Sequence, residues 1–224
     1  MYIIGISGKS GSGKSYFSKL LCNYLKSINK KVAIIDFDEI GHIVVKENSY
    51  VQKSLKKTFG EKILDENGII SRKKLSNLVF NDTLALKTLN SITLPHMCKQ
   101  IDNMLVYLDE CDYVIFDYAL LPMIKKYFNM CNFKLLIKCD IDKRKERIIH
   151  RDNISEEKFQ KRENSSVKYC EFDFNKVIKN NEETTIDDLV SYISTIITTL
   201  NDNKKIAYYP GSFDPITYGP YEYY

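Results

Sequence analysis

Short apolar runs alternate with longer stretches of helical periodicity along most of this chain of 224 residues. An apolar run of about four to eight residues is typical of a buried strand, and apolar positions repeating every three or four residues are typical of a helix. The runs that predict strands are residues 2–6, 32–35, 113–116, 135–139 and, more briefly, 176–178. The helical pattern occupies residues 14–28, 50–59, 72–80, 84–108, 141–150 and 186–200. This alternation predicts an α/β fold, with a parallel sheet flanked by helices.

The pattern also divides the chain into regions. Residues 1–200 contain all the predicted strands and form the predicted main domain. Within it, residues 46–110 hold the longest stretch without a strand, which predicts a helical substrate-binding insertion over the carboxyl edge of the sheet. The polar residues 201–205 read as a linker to a separate C-terminal segment.

A glycine-rich motif connects the first predicted strand to the first predicted helix. Its eight residues are Gly8, Lys9, Ser10, Gly11, Ser12, Gly13, Lys14 and Ser15. Glycines at this spacing let several backbone N–H groups converge on phosphate oxygens, and the helix N-terminus adds the positive end of its dipole. In such a P-loop the lysine reaches the β- and γ-phosphates, and the final hydroxyl coordinates Mg²⁺. The alternative, a plain turn between strand and helix, is disfavoured because the motif and its context agree.

Acidic residues directly follow two of the predicted strands. Asp36 and Asp38 follow the second strand, and Asp117 follows the third. Carboxyl ends of parallel strands meet at one edge of a sheet, so we expect these side chains to lie near the bound phosphates. Phosphoryl transfer needs a carboxylate to orient or deprotonate the acceptor and others to hold Mg²⁺, directly or through water. The alternative for Asp36 or Asp38 is that it caps a helix beginning near Glu39.

Two arginines stand one helical turn apart near residue 150. Arg147 and Arg151 have the i, i+4 spacing that places side chains on one helix face. Guanidinium groups offer forked donors to phosphate oxygens, so the two arginines suit a mobile lid over the transferring phosphoryl group. The predicted lid spans residues 142–170. The alternative is a solvated basic helix face.

Composition limits the classes of partner and compartment. Lys and Arg total 33 against 29 Asp and Glu, a formal charge of +4 that is too small to indicate nucleic acid. Six scattered cysteines without a Cys-x-x-Cys pair indicate reduced thiols, not a zinc site or a disulfide framework. The first predicted strand leaves no room for a signal peptide, and no apolar run is long enough to span a membrane. We expect a cytoplasmic protein with a small-molecule substrate, either a monomer or a weak homo-oligomer.

Three stretches carry a resemblance to a known family. They are the P-loop, the residues Asp36-Phe37-Asp38 with Ile40 and His42, and a block in the insertion that reads Phe59-Gly60-Glu61-Lys62-Ile63-Leu64 and then Gly68-Ile69-Ile70-Ser71-Arg72. Ordinary P-loop kinases do not carry that block. Residues 3–200 together resemble the dephospho-coenzyme A kinase family.

The resemblance implies a reaction and a set of roles. The phosphoryl donor is then ATP, the metal ion is Mg²⁺, and the acceptor is the ribose 3′-hydroxyl of dephospho-coenzyme A. Asp38 is the implied base, and Arg147 and Arg151 belong to the implied lid. Asn180, which follows the last predicted strand, resembles the residue that lies beside the adenine.

Departures from the family pattern concern the acceptor side. Leu94 precedes Pro95 where relatives carry histidine, so that histidine is missing or displaced to His96. Residues 119–123 replace a proline-leucine-leucine segment that ends in glutamate, and Ser166 falls in the region where a glutamine is expected. A P-loop kinase for another nucleoside or nucleotide, and a degenerate nucleotide-binding regulatory protein, are therefore the alternatives.

The C-terminal residues 206–224 carry a second resemblance. The sequence from Ile206 to Gly219 is similar to the opening strand and nucleotide-binding turn of phosphopantetheine adenylyltransferase. That family closes the turn with a histidine, where this chain has Pro220. So short a segment cannot build a core of its own, which predicts an exposed, inactive, truncated fragment of a bifunctional fusion. The alternative is a coincidental tyrosine-rich tail.

Overall fold

A parallel five-stranded sheet organises the fold. The structure is a computed structural model that describes residues 1–164, 166–181 and 186–202. Its strands are β1 (Tyr2–Ser7), β2 (Val32–Asp36), β3 (Tyr113–Asp117), β4 (Phe133–Lys138) and β5 (Lys176–Lys179). They pair in the order β2-β3-β1-β4-β5, always in parallel. The predicted α/β fold is confirmed, and each predicted strand lies within two residues of its observed bounds.

The helices cover both faces of this sheet. They are α1 (Lys14–Ser27), α2 (Phe37–Glu47), α3 (Ser49–Phe59), α4 (Arg72–Asn81), α5 (Thr83–Tyr107), α6 (Lys125–Met130), α7 (Ile141–Asp152), α8 (Glu156–Asn164) and α9 (Ile186–Asp202). Strand side chains alternate between the two faces. Ile4 and Ile6 of β1 accordingly pack with α1 and α9, whereas Ile3 packs with the core beneath α2 to α5. Burying one such side chain stabilises the fold by about 1.5–3 kcal/mol.

Several element boundaries differ from the sequence-based expectation. Helix α2 begins at Phe37, directly after β2, whereas the sequence placed its start near Glu39. Helix α9 extends to Asp202, two residues into the predicted linker. The sequence pattern did not predict α6 or α8, because α6 has only six residues and α8 has a single buried apolar side chain, Phe159.

The insertion predicted over residues 46–110 is helical. It contains α3, α4 and α5, and α5 packs against both of the others and against α2. No helix within the described residues combines the length and the apolar character that crossing a bilayer requires. Most of the predicted linker and all of the adenylyltransferase-like fragment, residues 206–224, lie outside the described residues.

Candidate active site

The loop between β1 and α1 has a backbone that favours glycine. Gly13, the N-cap of α1, has a left-handed φ of 93°. A Cβ at this position would clash with Nδ2 of Asn180, which donates a hydrogen bond to the Ser12 carbonyl at 2.8 Å. Because Gly13 supplies no side-chain cap, the N–H groups at the start of α1 can serve a phosphate.

A Gly13→Ala variant should bind ATP on the order of tenfold to a hundredfold more weakly, because both the positive φ and the contact with Asn180 resist a side chain. Isothermal titration with ATP measures the loss. Gly60→Ala is the matched control, since Gly60 also has a positive φ, 66°, but an added Cβ would meet no atom within 4 Å. Unchanged ATP affinity in Gly13→Ala would contradict the phosphate-binding assignment.

Lys14 and Asp117 face each other beneath the loop. The Lys14 Nζ lies 3.6 Å from Oδ1 of Asp117, and the two side chains are 13% and 3% exposed. Within the part of the chain that the structure describes, that oxygen is buried without a hydrogen-bond partner, and so are the hydroxyls of Ser7 and Ser12. Leaving a polar atom buried and unpaired costs about 1–3 kcal/mol. Polar atoms that a ligand could hydrogen-bond or coordinate therefore lie at the end of β1, in the loop and at the end of β3.

The groups around the loop fit a magnesium ion. Ser15, on the first turn of α1, is exposed, and its hydroxyl and the Asp117 carboxylate are hard oxygen donors of the kind that Mg²⁺ prefers. Across residues 1–164, 166–181 and 186–202, no group of three His, Cys, Asp or Glu side chains could hold a metal ion. Mg²⁺ in nucleotide enzymes is commonly bound by one or two protein ligands together with substrate phosphates, so this donor set is sufficient.

Asp36 is occupied as a helix cap. Its Oδ1 accepts hydrogen bonds from the backbone N–H groups of Asp38 at 2.9 Å and Glu39 at 3.2 Å. The strand does not fray here, because Asp36 pairs in register with Asp117 of β3. The capping interpretation thus describes Asp36, and Asp117 is the better placed carboxylate for Mg²⁺. A magnesium role for Asp36 stays a prediction.

Asp38 lies on the first turn of α2, at the same edge of the sheet. Desolvation by the walls of the site is the main cause that raises the pKa of its carboxyl above 3.8. The charges of Asp36 and Asp117 raise this pKa further, whereas Lys14 and His42 lower it. Asp38 therefore shares an electrostatic environment with the P-loop lysine while remaining exposed to an incoming hydroxyl.

Both predicted lid arginines reach the P-loop. The Arg147 Nη1 donates to the Gly11 carbonyl at 3.2 Å, and Nη2 of Arg151 donates to Oγ of Ser10 at 3.4 Å. Arg151 also pairs with Asp152, whose Oδ1 lies 2.7 Å from its Nε. The structure thus brings together the loop and the two guanidinium groups, and their role as a lid stays a prediction.

Asn180 lies directly behind the phosphate loop. Its backbone N–H donates to the Lys138 carbonyl at 2.7 Å, which continues the β4-β5 ladder, and its side chain holds the Ser12 carbonyl. Asn180 is thus beside the nucleotide loop, and contact with adenine stays a prediction.

His96, the candidate for the displaced histidine, packs against the start of α3, and an acceptor-side role for it stays a prediction. Its Nδ1 lies 3.2 Å from Nδ2 of Asn48, and its ring lies against Tyr50. Asn48 follows the last residue of α2, whereas Asp38 is on its first turn. At about 1.5 Å per residue, the helix separates them by roughly 15 Å. His96 therefore belongs to the α2-α3 junction.

Sequence reasoning missed a charged cluster beside the loop. Glu163 of α8 contacts Arg144 of α7 and Lys9 of the loop itself, and 154 residues separate Lys9 from Glu163. Nothing in the local spacing connects these positions, so no sequence pattern could have found them. Lys9 and Arg144 also line a cavity of about 410 Å³ that opens beside the loop.

Tyr169 connects the segment after α8 to the segment after β3. Its hydroxyl donates to the Ala119 carbonyl at 2.6 Å, and burial raises its pKa to about 12. A residue that the sequence did not single out thus binds Ala119, the first of residues 119–123, which are one of the departures from the family pattern.

The comparisons with known proteins agree with this geometry. A family model described as dephospho-CoA kinase matches residues 2–185. A dephospho-CoA kinase of Latilactobacillus sakei is 29% identical over 202 residues, covering 88% of this chain and 94% of the relative. One of Fusobacterium nucleatum is 37% identical over 164 residues, covering 71% and 78%.

Solved structures show the same architecture. The crystal structure of TT1252 from Thermus thermophilus is 27% identical and matches with a TM-score of 0.69, covering 89% of this chain and 97% of that one. A dephospho-CoA kinase from Campylobacter jejuni matches with a TM-score of 0.58 at 20% identity, over 91% and 98% of the two chains, which bears on the fold alone. With the family match over residues 2–185, the chain belongs to the dephospho-CoA kinase family.

Proposed function

We propose that this protein transfers the γ-phosphoryl group of ATP to the ribose 3′-hydroxyl of dephospho-coenzyme A, with Mg²⁺ as the metal ion. The observation that carries the proposal is the convergence of Lys14, Asp38 and Asp117 at the strand ends between the P-loop and the helical insertion. Family membership supports the choice of acceptor, and the loop geometry supports the choice of donor.

Donor binding relies on the backbone of residues 8–13 and on Lys14. The loop offers N–H groups at the start of α1, and the lysine ammonium lies at the buried end of the loop. These groups are fixed before the nucleotide arrives, so they stabilise developing charge without reorganising during the reaction. Ser15 and Asp117 would hold Mg²⁺, which neutralises charge on the phosphate oxygens when bound.

Asp38 accepts the proton of the attacking hydroxyl in this proposal. A carboxyl whose pKa is raised is a stronger base than an ordinary aspartate. Its exposure at the sheet edge lets a ribose hydroxyl approach from the side of the insertion. The nearby Lys14 orients the phosphoryl group relative to this base, and most of the rate gain then comes from positioning.

The lid arginines supply charge from above the loop. Arg147 and Arg151 hold uncharged acceptors of the loop at 3.2 and 3.4 Å. Bonds from guanidinium to phosphate are shorter and roughly twice as strong as bonds between neutral groups, so a bound triphosphate competes well for both side chains. The arginines then stabilise charge on the transferring group.

A panel of acceptors tests the choice of substrate. ADP release is measured with dephospho-coenzyme A and, in parallel, with adenosine and other nucleosides and nucleotides. We expect the highest kcat/KM for dephospho-coenzyme A. A higher kcat/KM for a nucleoside would support the alternative kinase. ATP binding without turnover of any acceptor would support a regulatory protein.

A further inference from the structure

A charged cluster joins the phosphate loop to both lid helices. The two carboxylate oxygens of Glu163 each accept a hydrogen bond from Arg144, at 2.8 Å. Oε1 of Glu163 also accepts one from the Lys9 Nζ, at 2.6 Å. Glu163 lies on α8, Arg144 on α7 and Lys9 in the P-loop. One carboxylate therefore connects three elements of the nucleotide site.

The arginine and the carboxylate of this cluster are largely buried, whereas the Lys9 side chain is 29% exposed. The side chains of Arg144 and Glu163 are 5% and 11% exposed. Arg144 and Lys9 hold the pKa of Glu163 at about 2, against an ordinary value of 4.5, so the carboxylate is ionised at every working pH. A two-pronged bond between arginine and carboxylate fixes the relative orientation of the two groups as well as their distance. The junction of α7 and α8 with the loop is therefore well defined.

The orientation of α7 determines where the lid arginines lie. Arg144, Arg147 and Arg151 follow i, i+3 and i+7 spacing, so they share one helix face. The bonds of Arg147 and Arg151 to the loop are longer than those of the cluster. Among the residues that the structure describes, neither arginine has a carboxylate of another element as its acceptor. Arg144 is thus the fixed point of this face, and the other two side chains are available to a ligand.

We propose that Glu163 is a positioning residue for phosphoryl transfer: through Lys9 and Arg144 it holds α8 and α7 on the phosphate loop, so that Arg147 and Arg151 lie over the loop before the nucleotide binds. The inference rests on the proposed kinase function. In this proposal the Lys9 ammonium pairs with Glu163, so at position 9 the backbone, and not the side chain, binds phosphate.

Two single variants and their combination test the connection. Glu163→Gln removes the charge that both cations share, and Lys9→Met removes only the bond between Glu163 and the loop, while the weaker bond of Arg144 to the Ser10 carbonyl, at 3.5 Å, remains. Each should lower kcat on the order of tenfold, because the lid arginines must then be ordered at every turnover. The double variant should be no slower than Glu163→Gln alone, since both changes break the same connection.

Glu156→Gln is the matched control. Glu156 also connects α8 to α7, through Lys145 at 2.9 Å, but this pair is exposed and does not involve the loop. Its kcat should stay within about twofold of the wild type, as is usual for an exposed ion pair. A loss in Glu156→Gln equal to that in Glu163→Gln would show that general helix packing is responsible, and would overturn the proposal.

Other outcomes would also overturn it. If Lys9→Met weakens ATP binding and Glu163→Gln does not, Lys9 binds phosphate directly. If Glu163→Gln and Lys9→Met only lower the melting temperature and kcat is unchanged, the cluster is structural. If the two losses in kcat multiply in the double variant, the residues act separately.

Hydrogen exchange provides a readout that needs no acceptor. Lys9→Met retains the buried pair of Arg144 and Glu163, so it remains folded even if Glu163→Gln does not. Amides of residues 156–164 should exchange faster in Lys9→Met than in the wild type, whereas those of β1 should not change. Unchanged exchange in this helix would refute the connection, whichever acceptor the wild type phosphorylates.

Discussion

A Lys14→Met variant should remain folded and lose about two to three orders of magnitude in kcat, the usual effect of removing one fixed group that stabilises transition-state charge. Methionine preserves the length of the side chain and is a good helix former, so α1 should begin as before. ADP release and thermal denaturation measure the two properties. Lys19→Met, an exposed position on the same helix, is the control and should behave as the wild type.

The melting temperature of Lys14→Met should fall, because Asp117 then stays buried without its cation at 3.6 Å. Adding Asp117→Asn should restore part of the stability and none of the activity. This separates the electrostatic cost to the fold from the loss of catalysis. Wild-type turnover in Lys14→Met would contradict the assignment of the P-loop.

Asp38→Asn should lower kcat about 10²- to 10⁴-fold, the range typical for loss of a general base. The amide keeps the shape of the side chain but cannot accept the proton, so ATP affinity should change little. The control is Asp36→Asn, since asparagine caps helices as well as aspartate does and the Asp36 cap should survive. If Asp36→Asn loses kcat and Asp38→Asn does not, Asp36 is the base.

The same variant should be more stable than the wild type at pH 7. Because the pKa of Asp38 is higher in the folded protein than the ordinary value of 3.8, protonation favours the fold. That stabilisation is complete below pH 3.8 and is lost as the pH rises through the folded pKa. Asp38→Asn should therefore melt at a higher temperature at pH 7, and the difference should vanish below pH 3.8.

Local patterns were sufficient for the sheet and for the phosphate loop. A buried strand needs only a short apolar run, and the loop needs glycines at fixed positions, as Gly13 and its contact with Asn180 illustrate. Each of these two sequence patterns lies within a few residues, so it can be recognised without knowledge of tertiary contacts. The placement of Arg147 and Arg151 on one helix face follows from local spacing too, whereas their contacts with the loop do not.

The remaining features depend on contacts between distant residues. From the sequence, Asp36 could have capped α2 or faced the metal site. The backbone conformation at the end of β2 places its carboxylate on the N–H group of Asp38, where it caps the helix. Helix α8 was missed because charged residues dominate it, and the partner of its Glu163 is Lys9, 154 positions away. His96 was a candidate by proximity in sequence, but the length of α2 separates it from Asp38.

The identity and position of the phosphorylated product test the central claim most directly. The purified protein is incubated with MgATP and dephospho-coenzyme A, and the product is analysed by mass spectrometry and by phosphorus NMR. We expect a product heavier by one phosphoryl group, with the new phosphate on the ribose 3′-oxygen. ATP consumption without this product, or a phosphate at another position, would contradict it.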